Sequence, residues 1–321
     1  MSVYTEIATR QRAIEALGAD AVTAYRRALL ELMPGIEAQV LSAVTRAQAM
    51  GATDGAVYAA IRAQAIRRQM EAEIGRLTLA LGGQLGAAQT TAILGGLEAA
   101  EAGVRALGVD VGVWNRVSFS AVEHLVAATQ GESLHALFAK IGPAAGESIA
   151  RHMVRGIVVG ENPRVVARHI RNDLGLSAER ANVISRSEML RAFRLSSLES
   201  YRQNGIEEYE RLASKSARTC APCLALDGQR QKTSNLLAVH PADRCSVIPR
   251  LSERFGIRQP ERETGSEWFD HQDESVQRTI LGPGGLDRYQ KGTPLSAFAR
   301  VEIDPTWGPT LRQTPLRDLA A

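Results

Sequence analysis

Apolar side chains recur at helical spacing along the first 110 residues of the chain. Two stripes step by three and four positions: Val22, Tyr25, Leu29 and Leu32, then Ile66, Met70, Ile74, Leu77 and Leu81. Such spacing places the apolar residues on one face of a helix, where they form a core or a partner-binding surface. Helix breaks are predicted at Gly18, Pro34-Gly35, Gly51 and Gly82-Gly83. Residues 1–110 are therefore predicted to form a helical bundle or hairpin.

Helix start and stop residues mark the next segment, residues 111–205. Asn162-Pro163 fits an N-cap followed by proline at the first helical position, and this helix is predicted to end near Gly175. Ser177 is predicted to cap a further helix, from Ala178 to about Gln203, with Asn204-Gly205 as its stop. This segment is therefore predicted to be helical throughout.

Two opposite charges interrupt the apolar stripe of that last predicted helix. Glu188 and Arg191 are three positions apart, so their side chains can meet on the helix surface. Glu188 alone would suit an acidic catalytic residue, but paired charges on an apolar face commonly serve architecture. We interpret the two residues as a structural ion pair.

The pattern changes after Gly205. Residues 206–212 and 246–250 read as short strands, and Pro249 suggests a sheet edge or a strand end. A helix is predicted from Thr264 to Ile280, ended by residues 282–285, and the tail from Lys291 is predicted to be extended. The chain thus divides into residues 1–110, 111–205, a β-containing lobe at 206–262, and 263–321. The fold class is mostly α with a small β-containing lobe (α+β).

Every cysteine of the chain lies in the predicted lobe, beside one of the six histidines. Cys220 and Cys223 have the spacing that lets two thiolates from one turn meet a single metal ion. His240 and Cys245 follow sixteen residues later. Three sulfurs and one imidazole complete a tetrahedron, as structural zinc sites do, and zinc would supply folding energy to a segment with little apolar surface. The sequence therefore predicts a lobe that is stabilised by a structural zinc ion.

Two alternatives to the metal site remain at this stage. Cys220 and Cys223 could form a redox pair, which would suit a strand-to-helix junction, whereas the predicted strands place these residues between strands. The three thiols could also be free and unconnected. Asp243 lies near enough to be a spare oxygen ligand, but it is interpreted as a solvated charge.

Net charge is small overall, at +3, but it is unevenly placed. Residues 211–262 hold ten basic and four acidic side chains, while residues 263–321 hold six and nine. A local basic surface favours an anionic partner, and DNA phosphate is one candidate. An alternative is that these side chains form a solvated face. The candidate contact residues are Lys215, Arg218, Arg230, Lys232 and Arg244.

An ordered set of motifs resembles the Mu F-like head morphogenesis proteins, the minor head proteins of tailed phages. The motifs lie at 160–170, 181–188, 219–228, 240–245 and 248–249, followed by a similar run that reaches residue 292. Family members commonly carry two cysteines around the arginine that follows His-Pro. Here Asp243 replaces the first of them and Cys245 is kept, so Cys220, Cys223, His240 and Cys245 still form a complete ligand set.

The resemblance implies a structural role rather than an enzymatic one. Such proteins enter the head during assembly in the host cytoplasm and associate with the portal vertex. The implied partners are the portal protein, the major capsid or scaffolding protein, and DNA bound without sequence preference. No secretory signal or membrane span is predicted, since no window holds 18 uninterrupted apolar residues. The alternatives are a metal-finger nuclease, an ADP-ribosyltransferase that uses Glu188, or a host regulatory DNA-binding protein.

Overall fold

The computed structural model describes residues 2–50, 52–109, 112, 114–128, 133–235, 237–252, 255–257, 259 and 261–319. The chain is mostly helical and carries small antiparallel sheets, which confirms the coarse fold class. The helices are α1 (Val3–Ala16), α2 (Ala19–Ala49), α3 (Ala52–Ala106), α4 (Phe119–Ala128), α5 (Leu134–Ala139), α6 (Ile141–Val158), α7 (Pro163–Gln203), α8 (Ala221–Leu226), α9 (Gly265–Asp270) and α10 (Glu274–Gln290). The strands are β1 (Glu208–Leu212), β2 (Arg230–Lys232), β3 (Ser246–Arg250), β4 (Ala299–Asp304) and β5 (Gly308–Gln313).

The N-terminal helices are longer than the sequence predicts. The break at Gly18 is confirmed, because this residue separates α1 from α2 with a φ of +101°. The breaks at Pro34-Gly35 and Gly82-Gly83 are wrong, since α2 and α3 continue through them. Apolar residues on both sides of Pro34 are buried, and their packing outweighs the hydrogen bond that proline forfeits. Gly51 lies outside the described residues.

Most residues of the two apolar stripes of the N-terminal region are buried, and Leu32 and Leu77 are half-buried. Ile66, Met70 and Ile74 are each at most 2% exposed, and Val22, Tyr25 and Leu29 are buried as well. These side chains therefore pack in the core of the folded chain, and binding of a partner by these helices stays a prediction. None of the described helices is long and apolar enough to cross a membrane.

One continuous helix, α7, replaces the two that were predicted between residues 163 and 203. Its start is confirmed, because the Asn162 Oδ1 accepts a hydrogen bond from the Arg164 backbone N–H at 2.9 Å. The predicted break at Gly175 and cap at Ser177 are wrong. Ser177 Oγ instead donates to the Asp173 carbonyl oxygen at 3.3 Å, one turn back in the same helix. A single glycine costs a helix only about 1 kcal/mol, which the packing of α7 outweighs.

The predicted end of α7 is confirmed. Gly205 adopts a φ of +70°, a conformation that glycine reaches without steric cost. The Ile206 N–H then donates to the Tyr201 carbonyl oxygen at 2.9 Å, which satisfies a terminal carbonyl of the helix. The reversal directs the chain into β1.

Three strands form the sheet of the β-containing lobe, in the order β2-β1-β3, all antiparallel. The predicted strands at 206–212 and 246–250 are confirmed as β1 and β3, although β1 begins at Glu208. Pro249 lies on β3, at an edge of the sheet as predicted, where a residue that lacks an N–H is tolerated. The central strand β1 is well buried: Tyr209, Glu210 and Arg211 are each at most 4% exposed.

The C-terminal part differs from its predicted single helix and extended tail. Thr264 and Glu267 form a capping box that starts α9, which ends at Asp270, and α10 begins separately at Glu274. Gly282 interrupts α10 with non-helical backbone, as predicted, but helix resumes to Gln290. The tail contains an antiparallel hairpin of β4 and β5 flanked by short 3₁₀ turns.

The chain divides into two compact units, each built from separate segments. One unit comprises Met1–Ala16, Gln89–Glu132 and Ser187–Ala321, and it contains the sheet, α8 and the hairpin. The other comprises Leu17–Ala88 and Ser133–Arg186 and is helical. The division into four consecutive segments stays a prediction, and its boundary at residues 110–111 lies outside the described residues.

Candidate metal centre

The short helix α8 positions the two cysteines of the CxxC motif. Cys220 is its N-cap residue, Pro222 lies in its first turn, and Cys223 follows one position later. The motif lies between two strands, β1 and β2, as expected, but on the short helix α8 instead of in a turn. A helix start suits a redox pair as well as a metal site, so the other donors must discriminate between them.

His240 faces both of these sulfurs. Its Nε2 lies 3.3 Å from the Cys220 Sγ and 3.4 Å from the Cys223 Sγ. Its Nδ1 lies 2.9 Å from the carbonyl oxygen of Pro241, which fixes the ring and leaves Nε2 directed at the thiols. Cys220, Cys223 and His240 therefore form a group that could hold a metal ion.

A second group shares Cys223 and adds Asp243 and Cys245. In each of the two groups the potential ligand atoms lie within 4.8 Å of one another. Cys223 and Cys245 are 2% exposed, and no pair of cysteines is joined by a disulfide. The structure thus gathers the four predicted ligands, together with Asp243, around the Cys223 sulfur.

Asp243 is not a solvated charge, so the sequence interpretation of this residue is wrong. It is 1% exposed, and its Oδ2 accepts a hydrogen bond from Arg211 Nη2 at 2.9 Å. Its Oδ1 accepts from the Cys245 backbone N–H and lies 3.7 Å from Arg194 Nη2. Burial alone would raise the pKa of this carboxyl, but Arg211 and Arg194 lower it to about 2.

Two buried arginines surround the cluster, and the sequence analysis did not identify either of them. Arg211 is fully buried on β1 and donates to the Ala238 carbonyl oxygen at 2.6 Å and to the Cys223 Sγ at 3.6 Å. Arg194, on α7, donates at 2.6 Å to the carbonyl oxygens of both Asp243 and Cys245. The positions of these two arginines in the sequence do not indicate a role at the cysteines, because only long-range packing brings α7 and β1 to the cluster.

The donors strongly perturb one another. The Cys223 thiol hydrogen-bonds to Cys220 and lowers the pKa of Cys220, whereas the same contact raises the pKa of Cys223. The contact with Cys223 and complete burial raise the pKa of Cys245 well above its usual range. Burial alone would lower the pKa of His240, but Cys223 and Asp243 raise it to about 9. Such coupling marks a compact cluster of donors.

Three of the five predicted phosphate-contacting residues are paired with acidic side chains. The pairs and their N–O distances are Lys215–Glu263 at 3.5 Å, Arg230–Glu261 at 3.2 Å and Arg244–Glu15 at 3.7 Å. Arg218 and Lys232 are exposed, and neither has an ion-pair partner among the residues that the structure describes. The basic surface available to an anion is therefore smaller than the net charge of the segment suggests.

Glu188 and Arg191 lie in an ion pair on α7. Arg191 Nη2 is 3.0 Å from Glu188 Oε2, and its Nη1 also donates to the Val126 carbonyl oxygen at 3.1 Å. Glu188 is 2% exposed, so solvent does not reach its carboxylate. The pair contributes to packing within its unit.

The fold and the donor cluster together define a largely helical protein with a compact cysteine–histidine lobe. Residues 147–247 match the family model described as Phage Mu protein F like protein, which confirms the resemblance found in the sequence. This stretch, which contains all four predicted ligands, is therefore similar to that family. Comparison with curated proteins and with solved structures gave no match.

Proposed function

We propose that this protein is a minor head protein of a tailed phage. In this proposal it enters the head during assembly in the host cytoplasm and associates with the portal protein and the major capsid or scaffolding protein. The observation that carries the proposal is the family match over residues 147–247, which spans α7 and the donor cluster. The helical units would supply rigid scaffolds for these protein contacts.

The donor set fits a structural zinc ion held by Cys220, Cys223, His240 and Cys245. Thiolate and imidazole are the ligands of closed tetrahedral zinc sites, which leave no position open for catalysis. A redox pair would need only Cys220 and Cys223. The Cys245 sulfur and the His240 imidazole also lie close to Cys223, and this supports a metal site over a redox pair. The ion would join α8 to the 240–245 segment and so stabilise a lobe with a small sheet.

The surroundings of the two candidate catalytic residues, Glu188 and His240, give little support to an enzymatic role. Glu188, the candidate residue for an ADP-ribosyltransferase, is buried in its pair with Arg191. His240, the candidate base for a metal-finger nuclease, contacts two thiols and would be a ligand. Both observations favour the structural role.

Reconstituted head assembly tests the proposal. The chain is co-expressed with the capsid and scaffolding proteins of its phage, with or without the portal protein, and the heads are purified by sedimentation. We expect the chain in portal-containing heads and its loss when the portal is omitted. Incorporation without the portal would overturn the portal contact, and absence from all heads would overturn the role itself. Elemental analysis of the purified chain should give about one zinc per chain, and zero zinc would overturn the metal assignment.

A further inference from the structure

The strongest further observation is the set of buried charges around Cys223. Arg211 and Arg194 are 0% and 3% exposed, and the single carboxylate of Asp243 lies between them. Glu188 pairs with Arg191 instead, so Asp243 is the acidic side chain that the structure shows in contact with these two guanidinium groups. Among the described residues, two positive charges and one negative charge thus lie together, which leaves one positive charge without a carboxylate in contact with it.

A zinc ion held by three thiolates and a neutral imidazole carries one net negative charge. Burying such a centre is costly unless a counter-charge lies close to it. Arg211 meets this condition, because its Nη2 lies 3.6 Å from the Cys223 Sγ and 2.9 Å from Asp243 Oδ2. Together, the two guanidinium groups, the Asp243 carboxylate and such a centre would carry no net charge.

We propose that Arg211 is a positioning residue of the metal centre: it donates an N–H···S hydrogen bond to the Cys223 ligand and compensates the negative charge of the occupied centre. Asp243 orients Arg211 and so acts on the metal through it. This inference rests on the proposed zinc site and assigns the charge that the site requires. It also gives Asp243 a role as the acceptor that holds the arginine.

Metal competition experiments on the full chain test the inference. Wild type, Arg211→Met, Arg211→Lys and the double variant Arg211→Met/Asp243→Asn are titrated with Zn²⁺ against a chromophoric chelator. The matched control is Arg262→Met: Arg262 is a half-buried guanidinium in the same lobe that contacts Glu210 and Asp227. Circular dichroism establishes that each variant is folded before titration. Co²⁺ provides a spectroscopic readout, because the charge-transfer bands of cobalt–thiolate centres respond to hydrogen bonds on the sulfur.

The expected result is a loss of zinc affinity of about 10- to 100-fold for Arg211→Met, the range known for residues that support metal ligands. The cobalt–thiolate band should shift in that variant and stay unchanged in Arg262→Met. The double variant removes one charge of each sign, so its zinc affinity should recover toward that of wild type. The zinc affinity of Arg211→Lys should lie between those of wild type and Arg211→Met.

Equal zinc affinity in Arg211→Met and Arg262→Met would overturn the inference, and so would a double variant that binds no more tightly than Arg211→Met. If Arg211→Met fails to fold, Arg211→Lys with an unshifted cobalt band would overturn it as well. Wild type that binds no zinc would instead refute the proposed metal site, so the two failures are distinguishable.

Discussion

Replacement of Asp243 by alanine should destabilise the folded protein far more than an ordinary surface change. The carboxylate is 1% exposed and accepts hydrogen bonds from Arg211 and from the Cys245 backbone N–H. Alanine would leave the guanidinium groups of Arg211 and Arg194 buried without their shared counter-charge. It would also leave the Cys245 N–H without its acceptor.

The size of the effect follows from this burial. Removing one partner of a buried ion pair costs about 3–5 kcal/mol of unfolding free energy, because the remaining charge stays desolvated. The matched control is Asp287→Ala: Asp287 pairs with Lys291 at 2.8 Å, but its side chain is 58% exposed. Exposed pairs of this kind contribute about 0–1 kcal/mol. The two aspartates should therefore differ by at least about 2 kcal/mol.

Urea unfolding at neutral pH with saturating zinc measures the difference. The three tryptophans of the chain, Trp114, Trp268 and Trp307, all belong to the unit that contains Asp243, so their fluorescence reports on that unit. Asp243→Asn should fall between wild type and alanine, since an amide oxygen can still accept from the Cys245 N–H. A loss below about 1 kcal/mol for Asp243→Ala would refute the reasoning and would restore the solvated-charge interpretation.

Three further outcomes are expected. Cys223→Ser should increase amide hydrogen exchange in residues 206–250 far more than in α2, because the bonds to the proposed metal ion would be local to the lobe; equal exchange in both would contradict this. DNA affinity should fall by about tenfold between 50 and 200 mM salt if Arg218 and Lys232 supply two phosphate contacts, and by about 500-fold if all five basic residues do. A salt titration of binding to two unrelated duplexes decides between two and five phosphate contacts, and an affinity that does not change with salt excludes phosphate contact. Gly96→Ala should cost about 1–3 kcal/mol in thermal unfolding, since its Cβ would lie 2.3 Å from the Phe193 carbonyl oxygen; an unchanged Tm would contradict that close approach.

Features that depend on neighbours along the chain could be predicted from the sequence. The Asn162 cap, the Gly205 stop and the buried stripe around Met70 follow from local backbone chemistry and helical period. The cysteine and histidine donors were also predictable, because two cysteines three positions apart are near each other in any compact conformation. Their spacing predicted a group that could hold a metal ion before any packing was known.

Features that depend on distant segments were decided by the tertiary structure alone. Pro34-Gly35, Gly82-Gly83 and Gly175 did not break the long helices α2, α3 and α7, because the packing of the apolar faces outweighs local propensity. The pairing of β4 with β5 was not predicted, although residues 299–304 alternate apolar and polar side chains along the strand.

The charges show the same division between local and tertiary information most clearly. The sequence shows Asp243 as one carboxylate among several basic residues, and it shows Lys215 as a free cation. The fold buries Asp243 between Arg211 and Arg194 and places Lys215 beside Glu263. The effect of a charge depends on its solvation and on its neighbours in space, and the packing of α7, β1 and the 240–245 segment determines both.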